Sequence, residues 1–465
     1  MTFKNKVVCE GINKARQYAA CELAVVVQTW LVLPNNFGGK TYNRLFSPVQ
    51  TFWLFLSQVL DERGSCRETL HKYLAWLALQ TGRSASSSTA AYCKARRRLK
   101  LEDLQGVHTL LVTNTQRHVT IRNLWCGRHV KVVDGSSVSM PDTEANQECY
   151  PQPSGQKPGC GFPVMRIVAV FSLATGVLLD VAKAALSVHE RTLFHRLWDG
   201  FSAGDVLLAD KGLSSYADYY LLAQRGVDTV MPHHQSRKRG VKRLRTLGKN
   251  DALVQWDKTA VRPRWISPDQ WMAIPQTLTL RQVTVEVDTP GFRSRTIRIV
   301  TTLLDPKIVT KKALADLYRR RWSVELYLRH IKTTMGFDVL TCKTPEMIHR
   351  ELQMAILAYN LIRAIMLQAT LTYAVANDRL SFKGTLVTIR QWTPRLAIAI
   401  HFDHTSQNPI ERFVAYIASD LIPLRPDRVE PRARKRRPKN YGLLTAPRTQ
   451  FIETPHRNKH TKAKS

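Results

Sequence analysis

The chain has 465 residues, which is too long for one ordinary hydrophobic core, so we expect two to four domains. Hydrophobic residues make up 44% of the sequence, a fraction that excludes an intrinsically disordered chain. Lysine and arginine number 69 against 36 acidic residues, and the resulting net charge of +33 indicates a polyanionic partner such as nucleic acid. The charge identifies a class of partner and nothing about chemistry.

The cysteines and the apolar segments give no signal for export or for a zinc site. The eight cysteines contain no C-x-x-C pair and no regular spacing, so neither zinc ligands nor a disulfide framework is predicted. The longest apolar stretch near the start, residues 23–33, is shorter than a membrane span and lacks a signal-peptide cleavage pattern. We therefore expect a cytoplasmic protein.

Residues 1–115 have the pattern of a helical DNA-binding region. Residues 51–60 and 69–79 carry apolar side chains at helical spacing. Residues 86–89 offer N-cap side chains for a following basic helix that runs through Lys94, Arg96, Arg97, Arg98 and Lys100. Such a helix can lie along a DNA groove, and a solvated basic face explains the same residues equally well.

Residues 116–231 have the pattern of an α/β domain, and we predict that they form the first part of a catalytic core. The predicted elements are, in chain order, a strand at 129–133, a hairpin of strands at 164–173 and 177–186, a helix at 189–198, a strand at 205–209, a helix at 216–224 and a strand at 227–231. The order is strand, strand, strand, helix, strand, helix, strand.

Residues 232–308 interrupt this alternation. They contain a hairpin pattern in which residues 277–287 and 294–304 flank the turn Pro290–Gly291. We predict a β-rich insertion subdomain.

The rest of the chain divides at residue 425. Residues 309–424 are predicted to form the second part of the core, with helices at 310–335 and 345–371. Residues 425–465 are rich in proline and basic residues, which is typical of a flexible tail.

Two aspartates share one context. Asp134 and Asp210 each follow an apolar strand and precede a polar turn. In open α/β sheets, residues just past strand ends collect at the edge where ligands bind, and Mg²⁺ favours carboxylate and phosphate oxygens. For either residue alone, an aspartate that caps the next helix is the commoner explanation.

A more specific pattern lies in the predicted helix at 310–335. On a regular helix, four polar residues would fall within an arc of roughly 60°: Tyr318, Arg321, Glu325 and Lys332. An apolar stripe adjoins them: Leu317, Val324, Leu328, Ile331 and Met335. An ordinary charged surface would also give such pairs, but the carboxylate lies on the edge beside the stripe, where a buried site is expected.

This face has the spacing Y-x2-R-x3-E-x6-K, which resembles the Y-R-E-K signature of DDE transposases in the insertion-sequence-four family. Residues 132–143 and 204–212 are similar to the two Asp regions of that family. Residues 341–347 and 380–384 also resemble family members. The resemblance covers most of the chain, and its specificity comes from the four-residue spacing together with both Asp regions.

The resemblance implies an α/β fold with an RNase H-like catalytic core interrupted by the β-rich insertion. It implies that the catalytic residues and metal ligands are Asp134, Asp210 and Glu325. It implies that the residues contacting DNA phosphates are Tyr318, Arg321 and Lys332.

The implied activity is cut-and-paste DNA transposition. Two Mg²⁺ ions, which Mn²⁺ could replace, would support cleavage and strand transfer at the inverted-repeat ends of an insertion sequence and in target DNA. A homodimer on paired double-stranded ends is expected, in the cytoplasm of a bacterium in association with the nucleoid. Two alternatives stay open: an RNase H-like nuclease without strand transfer, and a non-catalytic DNA-binding protein derived from a transposase.

Some residues depart from the family pattern or are ambiguous. Lys211 follows the second Asp where family members often have arginine. Three tryptophans, Trp256, Trp265 and Trp271, are available to hold a flipped base, although core packing is the commoner role. Glu190 begins a predicted helix near the expected active edge, and we interpret it as a helix-start carboxylate.

Overall fold

The computed structural model describes residues 21–39, 44–62, 64–233, 240–287, 295–402, 408–424, 444–453 and 460–462. Its amino-terminal helices are α1 (Glu22–Val27), α2 (Pro48–Leu60), α3 (Cys66–Thr81), α4 (Thr89–Arg98) and α5 (Leu101–Gln116). The hydroxyl groups of Ser47, Ser65 and Ser88 cap helices α2, α3 and α4. The helices predicted in this region are confirmed.

A nine-stranded sheet forms the centre of the protein. Its strands are β1 (Val130–Ser139), β2 (Val164–Ser172), β3 (Leu178–Ala185), β4 (Val206–Ala209), β5 (Asp228–Pro232), β6 (Val241–Gly248), β7 (Asp251–Asp257), β8 (Thr277–Val287) and β9 (Arg295–Thr301). The spatial order is β3-β2-β1-β4-β5-β9-β8-β7-β6. A separate two-stranded ribbon joins β10 (Phe451–Glu453) and β11 (His460–Lys462).

The first five strands have the topology of an RNase H-like domain. Strand β2 is antiparallel to β1 and β3, whereas β4 and β5 run parallel to β1 and to each other. The order 3-2-1-4-5 with this polarity confirms the predicted fold class.

The strands β6 to β9 extend the same sheet. Strand β9 pairs with β5 in the antiparallel direction, so the β-rich segment is hydrogen-bonded to the core. The predicted hairpin is confirmed as β8 and β9, while its Pro290–Gly291 turn lies outside the described residues. A fully buried ion pair supports the extension: Arg281 contacts Asp251 at 2.6 Å and also donates to the Val309 carbonyl at 2.6 Å.

Helices cover both faces of the sheet. They are α6 (Glu144–Cys149), α7 (Glu190–His195), α8 (Tyr216–Gln224), α9 (Pro268–Ala273), α10 (Lys311–Arg320), α11 (Ser323–Arg329), α12 (Pro345–Tyr373), α13 (Phe382–Phe402) and α14 (Pro409–Ser419). Among the described helices, only α12 is long and apolar enough to cross a membrane, and 89% of its most apolar window is buried inside the protein. Helix α12 packs against α5 and α14.

The prediction of a single helix at 310–335 is wrong. Helix α10 ends at Arg320, helix α11 begins at Ser323, and His330–Thr334 form a π-helical turn. Gly336 follows with a φ of 84°, a left-handed conformation that favours glycine and ends the helical segment. Hydrophobic periodicity registers the buried stripe and does not detect a local change in hydrogen bonding.

Candidate active site

Asp134 and Asp210 occupy equivalent positions on adjacent parallel strands. The last paired residues of β1 and β4 are Val133 and Ala209, and each aspartate follows directly. The prediction that the first strand stops at Asp134 is wrong, because β1 continues along β2 as far as Ser139. The polar residues after Asp134 are typical of a turn, but in the structure they remain hydrogen-bonded to β2.

The two aspartates are on the sheet face that α11 covers. Val132 and Leu208, two residues before each aspartate, belong to the same core cluster as Val324 of α11. Because side chains alternate along a strand, the aspartates share that face. A direct contact across the same gap supports this placement, since Lys332 Nζ lies 3.1 Å from Ser136 Oγ.

Arg321 is the cation around which the predicted site is organised. It lies in the break between α10 and α11, and its Nη2 is 2.9 Å from Glu325 Oε1. It also interacts electrostatically with Asp134, Asp210 and the Tyr318 side chain. All three predicted carboxylates therefore lie within the electrostatic range of one guanidinium group.

The pKa values at this edge reflect burial and repulsion between like charges. The pKa of Asp134 is raised to about 6, chiefly by burial and to a smaller extent by the nearby carboxylates of Glu190 and Glu325. The Gly135 N–H, which donates to Asp134 Oδ1 at 2.8 Å, and Arg321 act in the opposite direction. Because burial disfavours the charged form of Asp134, an additional cation at this edge would stabilise its carboxylate.

Within the described residues, no three His, Cys, Asp or Glu side chains are arranged to hold a metal ion as they stand. The Glu325 carboxylate is bonded to Arg321 and is 37% exposed, so it can turn away from this partner. The donor set of two aspartates and one glutamate consists of hard oxygens, which suits Mg²⁺ or Mn²⁺.

The sequence analysis missed two contacts at this edge. Ser136 contacts Lys332, as described above, and the Glu190 carboxylate lies against Gly135, next to Asp134. The position of Glu190 at a helix start after the hairpin was a signal for proximity, but nothing in the sequence indicates which backbone it touches.

Trp256 is a core residue, whereas Trp265 and Trp271 are partly buried and pack against the same core cluster. Trp256 is 1% exposed, and Trp265 lies against His195 with ring centroids 3.8 Å apart. Trp271 packs under the Lys258 ammonium group at 4.6 Å. Trp322, in contrast, is 60% exposed in the segment between α10 and α11.

Comparison with known proteins identifies the family of this chain. Residues 125–361, about half of the chain, match the family model described as "Transposase DDE domain". The chain therefore belongs to the transposase DDE domain family, whose members act on DNA and generally use divalent metal ions. Its resemblance to the insertion-sequence-four type is also confirmed, and the protein is a DNA transposase.

Two individual relatives illustrate the similarity. The chain is 26% identical over 413 residues to "Transposase InsG for insertion sequence element IS4" of Escherichia coli strain K12, a match that covers 85% of this chain and 86% of that protein. Among solved structures, it is similar to the piggyBac transposase synaptic complex with hairpin DNA, with a TM-score of 0.41 and 10% identity over 87% of this chain and 85% of that chain.

Proposed function

We propose that this transposase cleaves the ends of an insertion sequence and joins them to target DNA by phosphoryl transfer at a site built from Asp134, Asp210 and Glu325. The observation that carries the proposal is that Asp134 and Asp210 follow paired residues of two adjacent parallel strands, on the sheet face covered by the segment in which Glu325 pairs with Arg321 at 2.9 Å. Two Mg²⁺ ions held there would activate the attacking hydroxyl and stabilise the leaving oxygen, and Mn²⁺ would substitute for them. The hard-oxygen donors of the three residues fit such ions.

Glu325 and Arg321 have a coupled role in this proposal. Their 2.9 Å ion pair keeps the Glu325 carboxylate from being left without a cation beside Asp134. When Glu325 turns toward the catalytic edge, the Arg321 guanidinium becomes available to a DNA phosphate, which it can hold through two parallel hydrogen bonds. The pair therefore exchanges partners as DNA arrives.

Tyr318 and Lys332 flank the same edge. The pKa of Tyr318 is raised chiefly by burial, so its phenol stays protonated and can donate a hydrogen bond to a phosphate oxygen. The Lys332 ammonium is fixed near the end of β1 by Ser136 and can approach a phosphate as a point charge. We propose that Tyr318, Arg321 and Lys332 bind the phosphates of the transposon end.

The remaining parts of the chain fit a division of labour in DNA binding. We propose that residues 1–115 bind DNA, that 232–308 act as an insertion within the core halves 116–231 and 309–424, and that 425–465 form a basic tail. In α4, Arg97 and Arg98 are exposed, as groove contacts require.

The proposed partners are double-stranded inverted-repeat ends and target DNA, bound by a homodimer. Joining two ends in one event requires two active centres on paired ends. We further propose that the protein acts on DNA of the bacterial nucleoid, in the cytoplasm. Sedimentation of the protein–DNA complex tests the dimer, since a ratio of one chain to two paired ends would contradict it.

A joining assay tests the activity. The purified chain is incubated with Mg²⁺, a target plasmid and a duplex whose transposon end carries an exposed 3′-hydroxyl. Joined product is expected, and Glu325→Gln should abolish it while leaving end binding intact. Cleavage without joining would instead support a nuclease, and binding without either reaction would support a non-catalytic DNA-binding protein.

A further inference from the structure

Arg363, in the middle of α12, is a buried cation enclosed by aromatic rings. It is 4% exposed, and its Cζ lies 4.7 Å from the ring centroid of Tyr327, 5.3 Å from that of Tyr359 and 5.0 Å from that of Phe382. None of the ion pairs formed by the described residues involves Arg363. An apolar side chain of similar length would fill this space without burying a charge, so an arginine is expected here only if its N–H groups have a specific partner.

One of these N–H groups reaches the π-helical turn that contains Lys332. Arg363 Nη2 donates to Nδ1 of His330, the first residue of this turn, at 3.0 Å. Burial, and then the positive charges of Arg363 and Arg329, lower the pKa of His330 to about 3, so the imidazole is neutral and its Nδ1 can accept. The same imidazole stacks on Phe382, with ring centroids 4.3 Å apart and an interplanar angle of 7°. The His330 ring is thus fixed by a hydrogen bond and by a stacked ring.

Arg363 is in turn anchored to the central sheet. Its Nε donates to the Tyr359 hydroxyl at 3.0 Å, and that hydroxyl donates to the Gly176 carbonyl at 2.6 Å. The Asn360 side chain accepts from the Leu178 N–H at 2.9 Å and donates to the Leu178 carbonyl at 2.8 Å. Because Gly176 precedes β3 and Leu178 begins it, these bonds fix α12 to the β2–β3 hairpin. A continuous series of hydrogen bonds therefore runs from the hairpin through Arg363 to the π-helical turn.

The π-helical turn determines where Lys332 points. The Met335 N–H donates to the His330 carbonyl, five residues earlier, at 2.9 Å. Because a π-helical turn contains more residues than an α-helical turn, it rotates later side chains relative to earlier ones. Lys332 lies two residues after His330, and its Nζ is 3.1 Å from Ser136 Oγ on β1. Loss of the support at His330 is therefore expected to move Lys332 away from β1.

We propose that Arg363 is a positioning residue for the phosphate contact of Lys332. By donating to His330, it holds the π-helical turn and keeps the Lys332 ammonium group at the edge of β1. Arg363 does not itself contact a DNA phosphate in this arrangement, because it is buried. The inference rests on the proposed role of Lys332 and adds the side chain that places it.

The test is the salt dependence with which the full-length chain binds a fluorescent duplex of the inverted-repeat end, measured by anisotropy. Arg363→Met keeps an apolar stem but cannot donate to His330. It should lower the slope of log affinity against log salt concentration by up to about 0.9, the share of one phosphate contact. His330→Phe, which retains a ring to stack on Phe382 and removes the acceptor, should have the same effect.

A matched control has the same change of charge. Arg390→Met removes a half-buried arginine that donates to the Leu60 carbonyl, away from the π-helical turn. It should leave the salt slope unchanged. Thermal unfolding verifies that each variant is folded at the temperature of the binding measurement.

Double mutants show whether the effect passes through Lys332. In a Lys332→Met background, neither Arg363→Met nor His330→Phe should lower the slope further, because the contact that they position is already lost. Additive changes of the slope would overturn the inference. A lower unfolding temperature of Arg363→Met and His330→Phe with an unchanged slope would also overturn it, since that result indicates a purely structural role.

The outcomes separate this inference from the proposed function. If Lys332→Met lowers the slope and neither Arg363→Met nor His330→Phe does, the phosphate contact of Lys332 stands and its positioning by Arg363 is overturned. If Lys332→Met leaves the slope unchanged, the proposed phosphate contact fails, and the inference fails with it.

Discussion

The amino and carboxyl ends of strands β1 and β4 differ in how their carboxylates are paired with cations. At their amino ends each carboxylate has its own cation: Lys131 Nζ lies 2.7 Å from Asp205 Oδ2, and Arg128 Nη1 lies 2.7 Å from Asp228 Oδ2 at the start of β5. Lys131 and Asp205 are both largely buried, with side-chain exposures of 15% and 7%.

At the carboxyl ends the carboxylates do not have one cation each. Asp134 and Asp210 share Arg321 with Glu325, and the pKa of Asp134 is raised to about 6. Paired charges at one end stabilise the sheet, whereas unmatched carboxylates at the other end cost stability and are expected where a ligand supplies the missing charge. The difference supports the proposal that the carboxyl ends of these strands form the functional edge.

The largest expected effect is at the carboxyl ends. Asp134→Asn, Asp210→Asn and Glu325→Gln should each lower the rate of DNA cleavage by about a thousandfold or more, because a lost metal ligand removes several kcal/mol of transition-state stabilisation. Cleavage of a terminal-repeat duplex measures the rate, and a mobility-shift assay should show that binding is retained. Near-normal cleavage by any of the three variants would remove that residue from the site.

The amino ends should show the reverse behaviour. Asp205→Asn leaves Lys131 without its buried partner and should lower the free energy of unfolding by about 2–4 kcal/mol, measured by urea denaturation. The cleavage rate per folded molecule should stay at the wild-type value. A large loss of cleavage at unchanged stability would contradict the functional contrast between the two ends.

Much of the scaffold was predictable from the sequence, because its strands and helices are signalled locally. The hairpin of β2 and β3 and the helix α8 follow from residue patterns that involve near neighbours in the chain. The continuation of β1 through Asp134 was not predictable, since it depends on pairing with β2. The polar residues there suggest a turn when they are considered alone.

The site was predictable in composition and not in geometry. The signature spacing predicts that Arg321 and Glu325 lie one helical turn apart, and in the structure Arg321 Nη2 is 2.9 Å from Glu325 Oε1. The break before Ser323 and the π-helical turn change the direction in which later side chains point. Hydrophobic periodicity does not detect either feature. The contact between Glu190 and Gly135 joins segments that are distant in sequence, so no local pattern reports it.

The raised pKa of Asp134 predicts how the stability of the metal-free protein changes with pH. Its pKa in the folded state, about 6, is above the ordinary value of 3.8, so the folded state holds the proton more tightly. Stability therefore falls as the pH rises between these values. Asp134→Asn should make the metal-free protein more stable than the wild type at neutral pH by about 1–2 kcal/mol. The difference should vanish below about pH 4, and the opposite sign would contradict the charge imbalance.

A smaller effect concerns the salt dependence of DNA binding. Lys332→Met should reduce the slope of log affinity against log salt concentration by about 0.9, the contribution of one phosphate contact. Lys131→Met, at the other end of β1, should leave the slope unchanged. Fluorescence anisotropy across a salt series measures both slopes. An equal change of the slope in the two variants would contradict a phosphate contact specific to Lys332.

Iron-directed cleavage of the polypeptide tests the central claim most directly. Fe²⁺ that replaces Mg²⁺ generates hydroxyl radicals in the presence of ascorbate and peroxide, and these radicals cut the backbone close to the bound ion. We predict cuts beside Asp134, Asp210 and Glu325, which lie in three segments far apart in the chain, and we predict that excess Mg²⁺ suppresses all three. Cuts confined to other segments, or cuts that Mg²⁺ does not suppress, would contradict a shared metal site.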